Sequence, residues 1–193
     1  MTPIMLNTVK VCIVATIGMG AFFTVRHYDK DRRQKLQGYF TAMEEKQYET
    51  AFWHVNQYMI EHPQDAIAMT YKGITHKSMG KNGKAVEVIK AALELKPRLA
   101  MAHHTLGEIY MHLENYEKAV SHFDLALRRS WKPETYYQRA VSFMYQEKFD
   151  KAEADFKQVI WRSRSLRSQA QTDLLYIYRL TGQDKKATRL EMQ

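Results

Sequence analysis

Cysteine occurs once in this chain, at Cys12, so no intrachain disulfide can form and no cysteine-based zinc site exists. Proline (4) and glycine (8) are scarce in 193 residues, and Ala, Leu, Met, Lys, Glu and Gln fill most segments, which favours helix. There is no Gly-rich phosphate loop, no nucleophile elbow and no His-Glu-x-x-His pattern. His103 and His104 are adjacent and so point to different helix faces, while His112 lies two turns beyond His104. Glu44 and Glu45 read as solvated turn residues. Neither catalysis, a bound metal nor a cofactor is therefore expected. Acids are fewer than bases, 21 against 29, and the net charge of +8 suits an acidic partner, an anionic membrane surface or nucleic acid. No nucleic-acid module is recognisable, so nucleic acid is the weakest of the three.

The N-terminus holds one long uncharged run, "VCIVATIGMGAFFTV", from Val11 to Val25. Its fifteen residues reach ~22 Å as a helix, short of the ~30 Å hydrocarbon core. Ile4, Met5 and Leu6 extend it to a sufficient span if Lys10 snorkels to the interface. An uncleaved membrane anchor is the favoured reading. A signal peptide cleaved after Gly18-Met19-Gly20 and a mitochondrial presequence remain alternatives. Lys10 stands alone before the run, whereas Arg26, Lys30, Arg32, Arg33 and Lys35 follow it, which places the C-terminal body on the cytoplasmic side. A bacterial inner membrane is favoured and a mitochondrial one is the alternative. Thr16, Gly20 and Thr24 form a small-residue stripe that either packs on another membrane helix or faces lipid.

Beyond the run, the chain repeats itself. "KAVEVIKAALELKP" begins at Lys84 and "KAVSHFDLALRRSWKP" at Lys118. Ala51, Ala85, Ala119, Ala152 and Ala187 follow one another at intervals of 34, 34, 33 and 35 residues. A period of this length marks a stacked array of helical units. The first four alanines are each followed four residues later by a larger apolar side chain on the same helical face: Val55, Ile89, Phe123 and Phe156. Gly73, Gly107 and Ala140 supply small residues in the preceding helix, where its partner must approach closely. In the first unit that position falls on Tyr39, and in the last on Leu175. First helices are expected at about 31–45, 64–79, 98–112, 132–146 and 165–181; second helices at about 48–61, 82–95, 115–129, 149–162 and 184–192.

The third unit carries Leu106, Gly107, Tyr110, Tyr116, Ala119, Phe123 and Ala126 at the positions of the tetratricopeptide repeat, which the chain resembles from about residue 34 onward. The resemblance implies an all-α, right-handed superhelical solenoid of about five helix pairs over 31–193, preceded by the anchor and its basic flank over 1–30. It also implies a concave wall built from first helices that takes a peptide or helix of a protein partner. Carried over by position, the wall residues are Thr70, Ile74, Lys77, Met101, His104, Glu108, Met111, Tyr137, Val141, Met144, Thr172, Tyr176 and Arg179. Ile74 and Val141 could equally pack against neighbouring repeats. A carboxylate clamp is not expected, because Leu36 and Phe40 occupy the positions that need Lys and Asn.

The turns from second to first helices carry a second candidate surface. Lys96, Arg98, Arg128, Arg129, Lys132, Arg162, Arg164 and Arg167 would line one edge. That edge could face anionic lipid or an acidic partner, or simply complement helix C-termini. Taken together, the sequence reads as a membrane-anchored adaptor that binds protein partners and supports assembly or stability of a membrane-associated complex. A targeting receptor, an assembly chaperone and a permanent subunit of a membrane machine are the alternatives.

Overall fold

The computed structural model describes residues 29–192, and the expected anchor lies outside them. Every regular element among the described residues is a helix, and none of these helices is long and apolar enough to cross a membrane. A helical stretch over 29–35 leads into α1 (Gln37–Glu44) and α2 (Tyr48–Glu61). There follow α3 (Ala66–Ser78), α4 (Asn82–Leu95), α5 (Ala100–His112) and α6 (Tyr116–Leu127). The remaining helices are α7 (Pro133–Tyr145), α8 (Phe149–Arg162), α9 (Arg167–Leu180) and α10 (Asp184–Glu191). The chain divides after Glu61 into two compact units, the first holding α1 and α2 and the second holding the four pairs from α3 to α10.

The marker alanines explain the pairing. Ala51, Ala85, Ala119 and Ala152 are fully buried and Ala187 nearly so, because a methyl group lets two helix backbones draw together. A Cβ added to Gly107 would lie 2.4 Å from a ring carbon of Phe123, and one added to Gly73 would lie 2.3 Å from Ile89 Cγ1. Glycine is thus required at both crossings. Fully burying each of these apolar partners contributes roughly 1.5–3 kcal/mol. The first pair corrects the expected register. Gly38, not Tyr39, makes the close approach, and a Cβ there would meet the His54 ring at 2.4 Å. Tyr39 is instead turned into the core, 2% exposed. The glycine and its contact both stand one residue earlier, so the spacing between them is kept.

Helix ends follow local chemistry. The Asp65 carboxylate accepts from the backbone N–H groups of Ile67 and Ala68 at the start of α3. Asn115 does the same for Lys118 N at the start of α6, and Pro133 opens α7, where no donor is needed. Every turn inside a pair reverses through one residue with positive φ: Lys46, Gly80, Glu114, Glu147 and Gly182. Two of the five are glycines, for which this conformation carries no Cβ penalty.

Candidate functional site

In the second unit, successive first helices lie side by side, with α3 against α5 and α5 against α7. Polar side chains tie this wall together. Lys77 Nζ on α3 donates to Glu108 Oε2 on α5 at 2.6 Å. His104 Nε2, one turn earlier on α5, faces Glu108 Oε1 at 3.6 Å, and its Nδ1 lies 2.9 Å from Thr135 Oγ1 on α7. With a carboxylate at Nε2, that nitrogen carries the proton and Nδ1 accepts from the Thr135 hydroxyl. Burial alone would raise the Glu108 carboxyl. The imidazole N–H of His104 nearby and the charge and hydrogen bond of Lys77 outweigh it and hold the group at about 2. Further along, the Tyr137 hydroxyl on α7 donates to Asp173 Oδ2 on α9 at 2.5 Å. Burial and that carboxylate raise the Tyr137 phenol well above its ordinary value.

This arrangement corrects two expectations about the wall. Thr70 is fully buried, with its hydroxyl donated to Ala66 O at 2.7 Å, so it offers nothing to a partner. Tyr137 is not a free anchor: its ring meets Phe156 edge-on at 5.7 Å and its hydroxyl is engaged. Val141 and Met144 are half-buried against the core of the last pairs, and Ile74, Met101 and Met111 are also half-buried. Thr172 is exposed, and Arg179 is exposed while pairing with Glu191 at 2.5 Å. Tyr176 on α9 stands out with 57% of its surface free.

All eight cations of the turn edge are exposed. The Arg167 Nε donates to Ile160 O at 3.0 Å, which caps the end of α8. Arg162 lies over two indoles, 5.2 Å from the Trp131 centroid and 5.0 Å from that of Trp161. Beneath this edge His103 Nε2 lies 3.0 Å from Pro97 O, so it carries the proton, and His103 Nδ1 accepts from His122 Nδ1 at 3.2 Å. Burial, then His103 and Lys90, push His122 down to about 4.

One polar cluster escaped the sequence reading. Arg139 on α7 holds Asp155 of α8 through Nε and Nη2 at 2.7 and 2.8 Å, and Asp124 of α6 through Nη1 at 2.5 Å. Asp155 is 5% exposed. The signal was present in the pattern: Arg139 adjoins the small Ala140, and Asp155 sits between Ala152 and Phe156, so charges occur where the repeat demands burial.

The comparisons agree with this geometry. Family models described as "Tetratricopeptide repeat" match residues 68–99, 100–130 and 133–163. Three tetratricopeptide repeats fill the middle of the chain. The cell division cycle protein 27 homolog A of Arabidopsis thaliana is 31% identical over 90 residues, which is 47% of this chain and 13% of that protein. Human tetratricopeptide repeat protein 6 is 30% identical over 69 residues, 36% of this chain and again 13% of that protein. The chain thus matches only about an eighth of either relative's length. Among solved structures, that of Pseudomonas aeruginosa PilF superposes with a TM-score of 0.75 at 16% identity, covering 84% of this chain and 74% of that one. PilW, described as a widely conserved type IV pilus biogenesis factor, gives 0.72 at 21%, covering 82% and 73%. MamA gives 0.68 at 16%, covering 78% and 88%. At these identities the likeness is one of fold.

Proposed function

We propose that the repeats form an adaptor that captures a segment of a protein partner on the first-helix wall, and that the N-terminal apolar run holds it at a membrane. In this role it supports the assembly or stability of a membrane-associated complex, with the repeats on the cytoplasmic side. The observation that carries the reading is the contrast along the wall itself. Cross-ties from Lys77 to Thr135 fix the spacing of the helices in advance, while Tyr176 beyond them keeps most of its ring free. A frame that is already ordered loses little entropy when it binds, and an amphipathic aromatic is the side chain most often found as an anchor. The turn edge, exposed throughout, is the competing surface for an acidic partner or anionic lipid.

Affinity capture of partners with the tagged full-length chain from its native membranes tests this. Tyr176→Ala should weaken retention of stoichiometric partners about thirtyfold, the equivalent of ~2 kcal/mol, with helicity unchanged. Capture that survives this change but fails after charge reversal at Arg128, Arg129 and Arg164 would move the site to the edge. Extraction by alkaline carbonate would remove the anchor from the reading.

A further inference from the structure

Two successive junctions of the second unit occupy equivalent positions but are filled differently. Between the third and fourth pairs of the chain, Arg139 fills the space and is gripped by Asp124 and Asp155. One repeat later, by the spacing of the marker alanines, those three positions are Leu174, Lys157 and Leu190. All three line a cleft of about 630 Å³, a volume usual for ligand sites. The long cation has become a leucine that does not reach across, and one of the two carboxylates has become an ammonium.

The walls of the cleft carry the opposite charge to the filled junction. Lys157, Arg167, Lys186 and Arg189 surround it, with Trp161, 73% exposed, at its mouth. Glu153 compensates part of this charge, accepting from Lys157 Nζ at 2.6 Å and Lys186 Nζ at 3.1 Å. Arg189 stays exposed at the rim. We propose that this cleft docks an acidic amphipathic helix of a partner protein. Its carboxylates would meet Lys157 and Arg189, and its apolar face would cover Trp161 and the leucine floor. The filled junction is the template: there two carboxylates of the chain grip one cation, and here four cations share the single carboxylate of Glu153.

The test uses the full-length chain in non-ionic detergent and a fluorescein-labelled helical peptide of about 14 residues, four turns long, with Leu along one face and Glu flanking it. Fluorescence anisotropy should show saturable binding. The double variant Lys157→Glu, Arg189→Glu should weaken it at least tenfold, and Trp161→Ala should weaken it with all charges kept. A peptide with Lys in place of Glu should not bind, and Tyr176→Ala, on the wall, should bind the acidic peptide like the parent, which separates this site from the one proposed above. The proposal is overturned by no saturation up to about 100 μM, by equal binding of both peptides, by indifference to the double variant, or by vesicles of phosphatidylglycerol displacing the acidic peptide.

Discussion

The first-helix wall and the turn edge carry similar numbers of polar side chains and treat them in opposite ways. On the wall, Lys77, Glu108, His104 and Thr135 are joined to one another across three helices, and Tyr137 to Asp173 across two. On the edge, Arg128, Arg129 and Lys132 stand in solvent. The difference follows from geometry. Helices packed side by side bring long side chains within hydrogen-bonding reach in a partly dry setting, where an unpaired group is costly. Turns hold their side chains apart in water, where an exposed charge needs no partner. Wall polarity is therefore structural, and edge polarity is available to the outside.

Four substitutions or conditions would break or sharpen this contrast. Gly107→Leu, which drives α5 off Phe123, should have the largest effect, a loss of ~3 kcal/mol or more in urea unfolding. Glu108→Ala leaves Lys77 and His104 facing each other without their shared acceptor and should cost ~1–3 kcal/mol. Acid titration separates the layers. His122, with its pKa lowered to about 4 from 6.5, favours the neutral form when folded, so stability declines as pH falls from 6.5 towards 4. The loss is ~1–2 kcal/mol, since water reaches part of the ring. Glu108, lowered from 4.5 to about 2, adds a second decline only below pH 4.5. In thermal melts at stepped pH, His122→Phe should flatten the first decline and Glu108→Gln the second. The smallest effect belongs to the edge: Arg128→Ala with Arg129→Ala should change stability by less than ~0.5 kcal/mol. A larger loss there would mean that the edge, too, is part of the frame.

Much of the fold was legible because it depends on period. Three second helices, Tyr48–Glu61, Asn82–Leu95 and Phe149–Arg162, fall on the expected bounds, and all five marker alanines are buried. Periodicity assigns a face to a residue but not a partner. Lys77 and Glu108 meet 31 residues apart only because α3 and α5 are neighbours at a particular spacing. Thr70 was misassigned for a local reason: a threonine hydroxyl that bonds back one turn leaves its methyl free to be buried. In the first pair the alanine period concealed a one-residue shift, since Gly38 and His54 moved together. The Arg139 cluster was marked by charges at positions of burial, but the spacing alone does not say that three helices bring these three side chains together.

The pairing of Arg162 with Trp131 and Trp161 has an optical consequence. The chain has three tryptophans, and two of them flank a single guanidinium on the turn edge, while Trp53 stands in the other unit. A cation held over an indole perturbs its emission, so whatever draws Arg162 away alters the protein's intrinsic fluorescence. Any polyanion or acidic segment that competes for that guanidinium would announce itself without a label, and Arg162→Leu would silence the signal.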